Sequence, residues 1–182
     1  MRQKGAPTPI GGGSLDLAAL VAEHHRALYA YAFRLSGNGQ DAEDLVQQAF
    51  LVAQQKGHQI RDPEAARSWL YTVLRNGYLK EFRRRGPELA ENLNLDLNGF
   101  ADVDAADDWF DPEKLQAALD QLPPQFKTVL LMFYFEDISY REIAEKLELP
   151  IGTVMSRLSR AKGHLRTALL TAERSVEKEE ST

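Results

Sequence analysis

Apolar residues recur along this chain at three- and four-residue steps over most of its length, and almost nowhere at the two-residue step of a strand. Leu17, Leu20, Val21, Leu28, Tyr31, Ala32 and Leu35 share one helical face, and Ser36-Gly37-Asn38-Gly39 ends the pattern. Ala42, Leu45, Val46, Ala49 and Val52 predict a second helix from about Asp41 to Lys56. Asp62-Pro63-Glu64 opens a third, since Asp caps, Pro fits the first helical position and Glu favours the positive helix end. Trp69, Leu70, Val73 and Gly77 carry it to an arginine run that stops at Gly86-Pro87. The same opening recurs at Asp111-Pro112-Glu113, followed by Leu115, Ala118, Leu119 and Leu122, and Pro123-Pro124 begins a helix containing Phe126, Val129, Leu130 and Phe133.

The most distinctive segment runs from Ser139 to Arg160. Ser139 and Glu142 have the spacing of a capping box, and Ile143, Ala144 and Leu147 make one apolar face of a short helix. Leu149-Pro150-Ile151-Gly152 breaks it, and a second helix is expected from Gly152-Thr153, with Val154, Leu158, Ala161 and Leu165 in phase. Its other faces carry Thr153, Ser156, Arg157, Ser159, Arg160 and Lys162. A short helix packed on a longer one with a hydroxyl- and arginine-rich face is how a helix-turn-helix presents a recognition helix to the major groove. No acid occurs between Leu149 and Ala172, whereas ordinary solvated faces mix signs.

Charge sharpens this picture through its distribution. The net charge of −5 over 182 residues argues against a nucleic-acid partner until it is resolved along the chain. Arg67, Arg75, Lys80, Arg83, Arg84 and Arg85 form one basic block, and Arg157, Arg160, Lys162 and Arg166 a second. After the first block, from Gly86 to Glu113, Glu88, Glu91, Asp96, Asp102, Asp104, Asp107, Asp108, Asp111 and Glu113 stand without a cation. The expected fold is all-α: two small helical domains, residues 15–86 and 112–172, joined by an acidic linker over 87–111, with flexible tails at 1–14 and 173–182. The C-terminal domain carries the helix-turn-helix. Two helical units that each end in a basic helix are suited to bridging two separated DNA sites.

The rest of the chain excludes more than it offers. It contains no cysteine, so disulfides and cysteine-based zinc sites are out. The longest apolar run, Val129 to Phe135, is too short to span a bilayer, and Pro7, Pro9 and the Gly11–Gly13 run interrupt any signal-peptide core, so a cytoplasmic protein without membrane insertion is expected. His24, His25, His58 and His164 have no metal-ligand spacing, and no catalytic constellation is present. An enzyme, a cofactor and a metal are not expected.

Three segments, in order, resemble the bacterial RNA polymerase sigma factors of the extracytoplasmic-function type. Asp41-Ala42-Glu43-Asp44-Leu45-Val46-Gln47-Gln48-Ala49-Phe50 looks like that family's clamp-binding helix, Arg67 to Asn76 like its promoter-melting helix, and Leu122-Pro123-Pro124 through Ala161 like its second DNA-binding domain. The resemblance implies that Asp41, Asp44, Gln47, Gln48 and Phe50 meet the coiled coil of the polymerase largest subunit, acids and amides rimming an aromatic anchor. It implies that Arg75, Asn76, Lys80, Arg83 and Arg84 meet the downstream promoter element, Asn76 holding a flipped base against the loop from Gly57 to Ala66. It places Thr153, Met155, Ser156, Arg157, Ser159 and Arg160 on the upstream element, and it implies the flap of the second-largest subunit and an anti-sigma factor or other regulator as further partners. The acidic linker would thread the polymerase's RNA-exit path, from which nascent RNA displaces it. The chain departs from the pattern at Met155, where a basic residue is common, at Ser159, where a bulkier one is, and at Arg61-Asp62-Pro63. The alternative is a stand-alone helix-turn-helix transcriptional regulator, with Leu17 to Arg85 as its sensor or dimerisation unit.

Overall fold

The computed structural model describes residues 17–56, 64–84 and 111–180, with side chains to Thr171 in the last helix. The expected N-terminal tail, most of the linker and most of the loop between Gly57 and Ala66 lie outside the described residues, whereas the flexible tail expected over 173–182 is corrected: the last helix continues through it to Glu180. Among the described residues seven helices follow one another: α1 (Leu17–Ser36), α2 (Gly39–Lys56), α3 (Glu64–Arg84), α4 (Pro112–Asp120), α5 (Pro124–Phe135), α6 (Tyr140–Leu147) and α7 (Ile151–Glu180). There is no strand among the described residues.

Local chemistry accounts for most of the boundaries. Gly37 ends α1 with φ +80° and its N–H on the Phe33 carbonyl at 2.9 Å. The backbone there favours glycine, and a β-carbon would also stand 2.8 Å from an Asp120 carboxylate oxygen, which would have to shift. Asn38 then caps α2, its Oδ1 accepting from the Asp41 N–H at 2.8 Å while its amide donates back to the Asp41 carboxylate at 2.9 Å. Asp111 caps α4 by accepting the Glu113 N–H at 2.9 Å, with Pro112 in the first turn. The capping box of α6 is complete: the Ser139 hydroxyl accepts from the Glu142 N–H, and the Glu142 carboxylate accepts from the Ser139 N–H at 2.8 Å. The Ser139 hydroxyl, which also reaches the Glu142 carboxylate at 2.7 Å, and then the Ser139 N–H hold the Glu142 carboxyl below its ordinary pKa.

The second helix of the helix-turn-helix begins earlier than expected. α7 starts at Ile151 because the Pro150 carbonyl accepts from both Thr153 and Val154, at 2.9 and 3.2 Å, which puts Gly152 inside the first turn. The turn before it is made by Glu148, which adopts a left-handed conformation, φ 54° and ψ 44°, and returns its N–H to the end of α6.

The two helical groups share one core. Leu28, Tyr31, Ala32 and Leu35 of α1 pack on α2 and α3, and the same cluster continues without a gap into Leu122, Val129 and Met132, then Ile143, Val154 and Leu158. α1 therefore touches α5 as well as α2 and α3. Polar bonds cross the junction. Lys127 of α5, itself buried, donates to the Leu35 carbonyl at the end of α1 (3.3 Å) and to Asp120 (3.0 Å), supplying a cation where the helix dipole is negative. Arg34 donates to the Pro112 carbonyl and to Gln116 at 3.1 and 3.0 Å. Partial burial lowers its pKa.

Candidate functional site

Three helix faces carry the residues of interest. On α2, Asp44, Gln47 and Gln48 are exposed, and Asp41 is half-buried beside Asn38. Phe50 does not join them. It is 9% exposed, in phase with buried Val46, Ala49 and Ala53, and its ring stacks on His25 at 6.3 Å. In this conformation the expected aromatic anchor is part of the core. The apolar group on the outer face is Leu51, 56% exposed. Asp44, Gln47, Gln48 and Leu51 follow the i, i+3, i+4, i+7 pattern of a single stripe. That spacing was readable in the sequence and points to Leu51 rather than Phe50.

On α3, Asn76, Lys80 and Arg83 are exposed along one face, with half-buried Trp69 two turns before Asn76 in the same phase. Arg84 is exposed and pairs with Glu81 at 3.2 Å. An amide flanked by cations and an aromatic is chemically able to meet a phosphate backbone and an unstacked base. Arg75, expected in the same set, is turned the other way. It is 1% exposed and ion-paired with Glu136, whose side chain is 2% exposed and which caps the end of α5. Tyr31 donates to the same carboxylate oxygen at 3.1 Å and meets Tyr71 edge-on, with ring centroids 4.9 Å apart. Burial and the Glu136 charge push the Tyr31 hydroxyl well above its ordinary pKa, so it remains a donor. Arg75 lies in phase with Tyr71 and Tyr78, on the packed side of α3, which is the sequence signal for its burial. In this conformation it is not available to DNA.

On α7, Met155 (51% exposed) and Ser156 project furthest. Thr153, Arg157, Ser159 and Arg160 flank them, half-buried, and desolvation lowers the pKa of Arg157. Val154, Leu158 and Ala161 bury the opposite face. Lys162 belongs to neither face: its ammonium lies over the Phe133 and Tyr134 rings, 5.2 and 5.8 Å from their centroids. Between the two halves runs a groove of about 680 Å³, bordered by Asp44, Gln48, Lys80 and Arg84 on one side and Asp120 and Lys127 on the other. Among the described residues no group of three or more His, Asp or Glu could hold a metal ion, and no helix is long and apolar enough to cross a membrane.

A helix-turn-helix unit joined to a second helical unit with its own amide- and cation-bearing face defines an all-α nucleic-acid-binding protein. Comparison with known proteins gives the family. Residues 20–88 match sigma-70 region 2 and residues 113–165 match sigma-70 region 4. The chain is 38% identical over 160 residues to the ECF RNA polymerase sigma factor SigE of Mycolicibacterium smegmatis, covering 82% of this chain and 60% of that protein. It is 34% identical over 163 residues to the ECF sigma factor SigL of Mycobacterium tuberculosis, covering 84% of this chain and 88% of that one. Among solved structures it is similar to the sigma factor RpoE of Bartonella quintana, determined in complex with the anti-sigma factor NepR. There the TM-score is 0.65 and the identity 28%, over 86% of this chain and 98% of that one. The chain belongs to the extracytoplasmic-function RNA polymerase sigma factors.

Proposed function

We propose that this sigma factor divides its work among the three faces just described. The α2 stripe of Asp41, Asp44, Gln47 and Gln48 docks on the coiled coil of the polymerase largest subunit, the acids and amides making directional bonds to a polar partner. Asn76 on α3 holds a base of the downstream element once the strands part, while Lys80, Arg83 and Arg84 track phosphates. Thr153, Met155, Ser156, Arg157, Ser159 and Arg160 of α7 read the upstream element in the major groove, Arg160 by a bidentate bond and Met155 by apolar contact. The flap of the second-largest subunit engages the C-terminal unit, and residues 87–111 tether the two units along the RNA-exit path. The protein works in the cytoplasm, by binding and not by catalysis. A protein inhibitor of the anti-sigma kind, such as the one bound to the Bartonella relative, would act by covering these faces.

The observation that carries this reading is the exposed Asn76–Lys80–Arg83 face of α3 on a helical unit separate from the one that carries α7. An amide among cations beside a half-buried aromatic suits a strand that has parted as well as a duplex, and the opening step separates the two uses. The test is Asn76→Ala in the holoenzyme. Promoter occupancy is expected to stay near the parent level while permanganate reactivity of unpaired thymines falls. Unchanged reactivity would return Asn76 to an ordinary surface position.

A further inference from the structure

The ion pair between the two halves has an unusual composition. It takes a cation out of a basic block and buries it under a carboxylate that stands 61 positions later in the chain. The site is incompletely satisfied, because Arg75 Nε and Glu136 Oε2 are both buried without a hydrogen-bond partner. A buried pair of this kind adds little stability over well-packed apolar side chains, since desolvation offsets most of the Coulomb attraction. What it adds is a contact that holds while closed and releases two readily hydrated charges when opened. It also adds specificity: removing either charge alone strands the other.

We propose that Arg75, Glu136 and Tyr31 form an intramolecular latch that keeps the two halves of the free protein closed, and that Arg75 exchanges the Glu136 carboxylate for a DNA phosphate when polymerase draws the halves apart. The second half of the proposal rests on the sigma-factor reading of α3. Lys127, donating to the Leu35 carbonyl, and Arg34, donating to the Pro112 carbonyl and Gln116, form further points of closure across the junction. Arg67, on the Phe135 carbonyl at 3.3 Å, and Lys146, on the Ser68 hydroxyl at 3.0 Å, continue the seam at the surface. While closed, the protein withholds one cation of its α3 block from DNA. It also fixes α3 and α7 on a single core, so neither can move to a separately spaced promoter element. Free protein is thereby kept from occupying promoters without polymerase.

The absence of native cysteine permits a direct test. Ser68→Cys and Lys146→Cys, introduced together, place two thiols whose parent side chains touch across the seam. A short, reductively cleavable bismaleimide is expected to join them in the free full-length chain. The joined protein should give at least about tenfold less run-off transcript with core polymerase than the same variant left unjoined, and cleavage of the linker should restore it. Equal transcription by joined and unjoined protein would overturn the latch. No transcription by the parent chain would instead overturn the sigma reading on which the exchange rests. Adding Glu136→Gln strands the Arg75 charge and should slow the cross-linking about tenfold or more while raising the free chain's affinity for duplex DNA. Replacing both partners, Arg75→Leu with Glu136→Leu, should restore fast cross-linking without the gain in DNA affinity. Cross-linking of the Glu136→Gln protein at the parent rate would show that the pair holds nothing closed.

Discussion

Phe50 and Leu51 are neighbours in sequence with opposite surroundings, and they separate a packing role from a binding role. Phe50 is 9% exposed against His25 and the α1–α2 core, so Phe50→Ala should cost about 3–5 kcal/mol through lost burial and a residual cavity. Phe50→Leu keeps most of the volume and should cost only about 1 kcal/mol. Leu51 is 56% exposed. Full burial of a leucine side chain is worth roughly 1.5–3 kcal/mol, so covering its remaining exposed part on polymerase is worth about 0.8–1.7 kcal/mol. That corresponds to a fourfold to twentyfold change in affinity, as a rough conversion. Leu51→Ala should therefore leave the urea midpoint nearly unchanged, within about 0.5 kcal/mol, while weakening core association by that factor. Circular dichroism in urea and a fluorescence titration with core polymerase provide the two readings. If Phe50→Leu, still folded, loses polymerase affinity while Leu51→Ala keeps it, the outer face of α2 has been assigned to the wrong side.

Glu148 pays the left-handed penalty of a non-glycine residue at the turn before α7, so Glu148→Gly should stabilise the chain by about 0.5–1 kcal/mol and raise Tm by a few degrees in a thermal melt. His164 is buried with Nδ1 unpartnered, and burial lowers its pKa. The unfolded chain therefore binds its proton more readily, and stability should fall as pH drops through the ordinary histidine value near 6.5 (about pH 7 to 5), a slope that His164→Leu should flatten in pH-dependent urea melts. Arg160→Ala should cut holoenzyme discrimination between promoters with intact and scrambled upstream elements about tenfold, whereas Met155→Ala, which removes only an apolar contact, should cost less.

Much of the architecture was legible because it is set locally. The Asp111-Pro112-Glu113 start, the Ser139–Glu142 capping box and the Ser36-to-Gly39 stop depend on neighbours within four residues, and all appear in the structure. The exposed positions Asp44, Gln47, Gln48, Asn76 and Lys80 were legible from helical phase. The burial of Phe50 and Arg75 in this conformation went unread for the converse reason: a motif-like position was weighed above the phase that puts them beside Ala49 and Tyr71. The closure of the two halves was not legible at all. Glu136 reads in sequence as an unremarkable acid after an apolar helix, and its partners Arg75 and Tyr31 lie 61 and 105 positions away. No local rule joins a loop carboxylate to an arginine and a tyrosine on two other helices.

The central claim, that this chain selects promoters for core polymerase through two separate DNA-reading units, is tested most directly by run-off transcription on paired templates. Core polymerase alone, and core polymerase with this chain, would be presented with a promoter selected by the reconstituted holoenzyme and with versions scrambled in either element. A discrete transcript is expected only when the chain is present, lost when the downstream element is scrambled and sharply reduced when the upstream one is. No chain-dependent transcript, or tight sequence-specific duplex binding by the isolated chain at physiological salt, would contradict it.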